Sequence, residues 1–193
     1  MKNSTAPMTL FAEWFAEEDK HSDVNISTAV CLSTIGTDGY PNARIVSLKE
    51  VVDNCFIITG SLSSRKGLEI EANAKVALTF WWTQTERQVR VQGVAAKISN
   101  ELADYYFKQR GISSQAVSKI CEQGKEIDDL QQLELQITEI VSGKTKLKRP
   151  KNWGGFSVKP TRIEFMEFKS TRFHIRTLYE IEDKQWTVKH LQP

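Results

Sequence analysis

AVCLSTIGTDGYPNARIVSL, residues 29–48, decides the fold class. Two short runs of β-type composition, 29–33 and 44–48, flank Gly36-Thr37-Asp38-Gly39-Tyr40-Pro41, a stretch built from turn formers. Such a pattern predicts an antiparallel hairpin. Further strand candidates follow at 55–59, 76–82 and 87–95; in the last, Gln88, Arg90 and Gln92 alternate with Val89 and Val91, as on a strand with one wet face. The connections between these runs are short, which favours antiparallel neighbours and a sheet that closes on itself.

Helices are expected around that sheet. Leu10, Phe11, Trp14 and Phe15 form one stripe, with Glu13, Glu17 and Glu18 elsewhere, so residues 1–24 read as an N-terminal helical segment. A helical insertion spans 99–142. Ser99 or Asn100 caps a helix through Tyr106 and Phe107, and a second long helix carries Ile127, Leu130, Leu133, Ile137, Ile140 and Val141 on one face. A basic loop at 144–151 returns the chain to strands at 155–158, 162–168, 173–180 and 186–191, the last two split by a tight turn at Glu182-Asp183-Lys184. The expected architecture is one domain over 1–193, mainly β with inserted helices (α+β), an antiparallel barrel completed by strands in 152–193.

Composition narrows the function classes. With 193 residues, 40% of them hydrophobic, the chain can bury a proper core, so global disorder is excluded. Twenty-six basic against 24 acidic residues leave +2, so any attraction to an anion must come from local placement. Three scattered cysteines without CxxC support neither a disulfide framework nor a zinc site. Acidic residues interrupt the N-terminal apolar stretch, which argues against a secretory signal, and no run approaches the roughly 18 apolar residues of a membrane helix. The expectation is a cytoplasmic protein with no membrane partner and no metal. Ser142-Gly143-Lys144-Thr145 ends like a P-loop but lacks the leading glycine and the preceding strand, and GxGxxG, GxSxG and HExxH are absent. The loop at 144–151 has no interleaved aromatics, so it reads as a solvated linker and not as a nucleic-acid grip.

Three constellations stand out. Arg172, His174 and Arg176 would share one face if 172–176 is a strand, and two cations beside an imidazole need an anion or nearby Glu164, Glu167 or Glu180. Tyr106, Arg110 and Ser114 lie at successive i+4 steps, a phosphate cradle if helical geometry persists past Gly111 and an ordinary helix end otherwise. The stretch from Arg44 to Lys49, with Ser63-Ser64-Arg65-Lys66-Gly67, supplies four cations, each charge-assisted hydrogen bond contributing roughly 1.5–3 kcal/mol; either stretch alone would read as a charged strand end.

ARIVSLK (43–49), SSRKG (63–67), ERQVRVQG (86–93), YYFKQRGISSQ (105–115), NWGGFSVKPTRIEF (152–165) and TRFHIRTLYE (171–180), with the terminal HLQP, resemble the pyridoxamine 5′-phosphate oxidase family of FMN-binding split barrels in content and order. The resemblance implies a homodimer with FMN at the subunit interface. It also implies oxidation of pyridoxamine or pyridoxine 5′-phosphate to pyridoxal 5′-phosphate, with dioxygen as acceptor and hydrogen peroxide as product. By motif, Arg44, Ile45, Val46, Ser47, Leu48, Lys49, Ile58, Thr59, Arg65, Lys66, Gln88 and Arg176 would hold FMN, with Gln123. Met166 takes a cofactor-contacting position where the family usually has tryptophan. Lys49, Tyr106, Arg110 and Ser114 would grip the substrate phosphate, while Arg172 and His174 would cover the substrate ring as the catalytic pair.

The family usually has an acidic residue where Ile175 stands and a serine where Gly124 stands, and one extra residue sits between Thr59 and Arg65. Because a flavin carries the redox chemistry, the protein needs no metal or acid–base dyad of its own; His174 reads as an orienting hydrogen-bond partner. Two alternatives stay open: a same-fold oxidase of another substrate, of the phenazine-pathway type, and a flavin-binding protein without this catalysis.

Overall fold

In a computed structural model of the chain, residues 6–21, 27–143 and 147–193 are described. The turn formers at 36–40 do close a hairpin: β1 (Ala29–Ile35) pairs with β2 (Pro41–Val52) from Ala29↔Ser47 to Ile35↔Pro41, and Gly39 takes φ 84° in the turn. Asp53 and Asn54, at φ 50° and 61°, link β2 tightly to β3 (Cys55–Ser61), the left-handed pair that suits a two-residue hairpin. The chain continues through α2 (Arg65–Ala72), β4 (Lys75–Trp82), β5 (Arg87–Lys97), α3 (Asn100–Gln109), α4 (Ile112–Ile120), α5 (Leu130–Ser142), β6 (Trp153–Glu167), β7 (Ile175–Glu182) and β8 (Gln185–Leu191), with α1 (Ala6–His21) preceding β1.

All strand pairs are antiparallel, in the order β3-β2-β1-β4-β5-β6-β7-β8, and a further β3–β6 pairing closes six strands into a barrel. The expected barrel with inserted helices is therefore present. Its long member is β6: residues 153–158 bond to β3, whereas 162–167 bond to β7, and β5 runs beside both halves. Between the halves Thr161 is one residue in excess of β5, since Gln92 faces Arg162 and Gly93 faces Pro160. A proline fits there because a bulge relieves it of a ladder hydrogen bond. The sequence pattern, with its break near Pro160, predicts two strands; the bulge makes them one. Gly93 admits the crossing, as a Cβ there would sit 2.5 Å from the Lys159 carbonyl oxygen.

Inward-facing Val30, Leu32, Phe56, Leu78, Phe80, Val89, Val91 and Phe165 fill the barrel. The predicted stripe on α1 plugs one mouth, Phe11 meeting Phe56 edge-on at 4.9 Å and Trp14 meeting Phe165 at 5.1 Å. Glu18, buried on the same helix, accepts from the backbone N–H groups of Gln84 and Thr85 and so fixes α1 to the β4–β5 turn.

Three helical expectations need correction. The stretch at 63–67, which standing alone reads as a charged strand end, instead leads into the helix α2 from Arg65. The insertion holds three helices, α3, α4 and α5; Asp129 caps α5 by accepting from Gln132 N–H, so Ile127 precedes the helix instead of lying on its face. Ser99 does cap α3, accepting from Leu102 N–H. Among the described residues no helix is long and apolar enough to cross a membrane. Lys144 and Thr145, and the ends of the expected 1–24 segment, lie outside the described residues.

Candidate functional site

A cleft of about 820 Å3 opens between the β2–β3 side of the barrel and the α4–α5 region. From β2 it receives Arg44, Ile45, Val46, Ser47 and Lys49, from β3 Thr59, from α2 Lys66, and from the helical insertion Arg110 and Gln123. Leu48 and Ile58, partners across β2 and β3, instead point into the core. Lys49 owes its place to a bulge: Leu48 faces Ile58 and Glu50 faces Ile57, so Lys49 is the surplus residue on β2. Bulges re-aim side chains in this way beside functional sites.

The cations of the cleft sit in pairs. Burial, and then the Arg44 guanidinium, lower the pKa of Lys66; burial, and then Arg110, lower that of Lys49. Lys66 Nζ donates to Ser64 Oγ at 3.0 Å and Gln123 Oε1 at 2.8 Å, both neutral partners. Arg110 lies over the Trp153 ring, 5.2 Å from its centroid, and its buried Nε has no hydrogen-bond partner among the described residues. Thr59 Oγ1 is buried in the same cleft and likewise unpartnered among the described residues. Buried donors without partners and like charges held together are costly unless an anion completes them, and a phosphate matches this donor set.

Glu69 organises one side. Only 1% exposed, it accepts from Asn42 Nδ2 (2.7 Å), Arg44 Nη2 (2.9 Å), Arg65 Nε (2.9 Å) and Thr34 Oγ1 (2.5 Å). Burial pushes its carboxyl up, but the hydrogen bonds from Thr34, Arg65 and Arg44 outweigh it and hold the pKa below its ordinary value. Arg65 also donates to Asp38 at 2.7 Å, so its guanidinium turns away from the cleft.

The expected Tyr106-Arg110-Ser114 face does not form, because α3 ends at Gln109 and Arg110 is extended at ψ 144°. Ser114 lies exposed in α4, and Arg110 approaches its backbone oxygen at 3.4 Å, not its hydroxyl. Tyr106 is buried with its hydroxyl donated to Glu50; burial and then that hydrogen bond raise its pKa.

A second group gathers outside the cleft. Gln88, Met166 and Arg176 stand opposite one another across β5, β6 and β7. Arg176 is held by the buried Glu164. Arg172 and His174 precede β7 in a turn, and Arg172 has φ 67°, so the expected alternation of Arg172, His174 and Arg176 on one strand face is replaced by a loop. There His174 Nδ1 accepts from Lys169 N–H at 3.1 Å and its ring packs on Phe168 with centroids 4.9 Å apart. Sequence reasoning missed Thr34, Asn42, Glu50 and Glu69; the only available signal was the i,i+4 spacing of Arg65 and Glu69.

A family model described as "Pyridoxamine 5′-phosphate oxidase" matches residues 18–142. The chain belongs to the pyridoxamine 5′-phosphate oxidase family. A second model, the "Pyridoxine 5′-phosphate oxidase C-terminal dimerisation region", matches residues 153–193. The chain is 37% identical over 190 residues to the pyridoxine/pyridoxamine 5′-phosphate oxidase of Leptospira biflexa, covering 97% of this chain and 89% of that protein. Among solved structures, PhzG from Burkholderia lata, in complex with tetrahydrophenazine-1-carboxylic acid, superposes with TM-score 0.93 at 26% identity over 100% of this chain and 95% of that one. A pyridoxamine 5′-phosphate oxidase-related, FMN-binding protein from Nostoc punctiforme shares the fold, with TM-score 0.81 at 13% identity over 99% of both chains. For this member of the oxidase family, the cleft and the β5–β7 group are the two places where its motifs converge.

Proposed function

We propose that the chain is an FMN-dependent oxidase that converts pyridoxamine or pyridoxine 5′-phosphate to pyridoxal 5′-phosphate. The observation that carries this reading is the pairing of cations in one cleft, Lys66 with Arg44 and Lys49 with Arg110. Two phosphate esters, one on the cofactor and one on the substrate, need two such seats. Lys66 and Arg44, with Ser47, Thr59 and Gln123, suit the cofactor phosphate; Lys49 and Arg110 suit the substrate phosphate, with Tyr106 and Ser114 behind them. Ile45, Val46, Leu48 and Ile58 contribute backbone and packing, and Arg65 supports the seat through Glu69. FMN held by these residues would supply the hydride acceptor, with dioxygen as the final acceptor and hydrogen peroxide as its product.

Gln88, Met166 and Arg176, with Arg172 and His174, belong in this reading to the same site built across a homodimer. Two facts support that: none of the five lines the cleft of its own chain, and residues 153–193 match the family's dimerisation region. Arg172 and His174 then cover the substrate ring. With Nδ1 accepting a backbone hydrogen bond, a neutral His174 carries its proton on Nε2, ready to donate. A cytoplasmic location belongs to the same proposal.

The similarity to PhzG favours a second reading, an oxidase of a phenazine precursor. A carboxylate such as the ligand of that structure offers two oxygens and a single charge, whereas the donors of Lys49 and Arg110, to which the structure gives no carboxylate partner among the described residues, suit a dianionic phosphate. Oxygen uptake by purified protein with pyridoxamine 5′-phosphate, pyridoxamine and a dihydrophenazine carboxylate separates the readings. Turnover of the phosphorylated amine far above the other two is expected; turnover of the phenazine substrate alone would overturn the B6 assignment.

A further inference from the structure

We propose that Glu69 is a positioning residue for Arg44, holding that guanidinium at the cleft so that the ligand phosphate meets a preformed donor. The inference rests on the reading that Arg44 and Lys66 receive the cofactor phosphate. Glu69 touches no part of the cleft itself; it acts from behind, on α2, with both carboxylate oxygens fully engaged. Oε2 takes Thr34 from β1 and Arg44 from β2, and Oε1 takes Asn42 from β2 and Arg65 from its own helix. One buried carboxylate thus ties α2, the first turn of which presents Lys66, to β1 and to β2, the strand that presents Arg44.

The charges divide the labour. Arg44 and Arg65 are balanced by Glu69 and by Asp38 in the β1–β2 turn. Among the described residues Lys66 has only the neutral partners Ser64 and Gln123, so it supplies the unmatched charge while Arg44 supplies a fixed direction. An arginine left free would have to surrender its rotamer freedom when the ligand arrives, whereas one already clamped does not. The arrangement also accounts for a buried charge that is otherwise expensive: its hydrogen bonds are complete only while Arg44 stays in place.

The test compares FMN with riboflavin, which lacks the phosphate, by flavin fluorescence quenching on apoprotein. In wild type FMN is expected to bind tighter than riboflavin; equal affinities would overturn the phosphate reading itself. Glu69→Gln keeps size and one acceptor but loses the charge that holds Arg44. It is expected to weaken FMN about tenfold, the worth of one charge-assisted hydrogen bond, with riboflavin unchanged. A merely structural role would lower the melting temperature or weaken both flavins alike, leaving the ratio intact, and that result overturns the positioning role, as does a rise in the ratio. Should Glu69→Gln not fold, Asn42→Ala, which removes one donor to Glu69 and leaves the contacts of Arg44 itself in place, decides: a smaller fall in the same ratio supports the role, and an unchanged ratio refutes it.

Discussion

Arg176 donates through both Nε and Nη2 to one oxygen of Glu164, at 2.9 and 2.7 Å. Among the described residues the other oxygen has no hydrogen-bond partner, with Arg90 and Arg162 at 3.6 and 3.9 Å. A single carboxylate that is 2% exposed therefore draws three arginines together on the face carrying Gln88 and Met166, and Glu180 shares Arg162. Glu164→Ala is expected to cost about 3 kcal/mol, the low end for breaking a buried pair, because the arginines keep some solvent contact. Urea denaturation measures it; an unchanged midpoint would contradict the role.

Arg110→Ala removes one cation of the Lys49 pair. KM for the phosphorylated substrate should rise about tenfold or more with kcat little changed, since the lost contact holds the phosphate in ground and transition states alike. The pH dependence gives a second handle. Burial and Arg110 both depress Lys49, so its ammonium is lost at a lower pH than that of a free lysine. Affinity for the dianion then falls as pH rises through that depressed value. In Arg110→Ala the fall should move to higher pH, because the like charge is gone; a pH profile of 1/KM checks the shift.

Tyr106→Phe tests which partner the hydroxyl serves. Its proton is committed to Glu50, and its raised pKa keeps it there across the assay range. The variant should lose about 1 kcal/mol of stability, and its KM should rise less than that of Arg110→Ala. A KM effect as large as that of Arg110→Ala would put the hydroxyl on the substrate phosphate.

Gly67→Ala should disturb the site from its scaffold. A Cβ at Gly67 would lie 2.2 Å from the Leu62 carbonyl oxygen, so α2 must shift where it presents Lys66. A loss of about 1–3 kcal/mol, with weaker FMN binding than wild type, is expected from thermal melts and flavin titration.

How much of this was legible in the sequence depended on whether the signal was local. Turn formers at 36–41 and 182–184, alternation at 88–92 and the Phe11–Trp14 stripe each report their own neighbourhood, and those elements form as expected. The helix α2 was hidden because it has eight residues rich in charge, and Glu69 reads as a surface residue until Thr34 and Arg44 are brought against it. The surplus position of Lys49 is a matter of register with β3, which composition does not encode. In 172–176 the alternation mimicked a strand, while the positive φ of Arg172 turned the chain before β7 could begin. The cations Arg44, Lys49, Lys66 and Arg110 were recognisable as residues; the buried carboxylate that arranges Arg44 was not.

The most direct measurement is anaerobic. Protein reconstituted with FMN is mixed with pyridoxamine 5′-phosphate in the absence of oxygen, and the yellow flavin absorbance is followed before and after air is admitted. The expected result is bleaching on mixing, with pyridoxal 5′-phosphate formed in step, then return of colour and one peroxide per flavin. A flavin that stays bound and yellow with pyridoxamine and pyridoxine 5′-phosphates alike would contradict the claim that this cleft seats a phosphorylated substrate for oxidation.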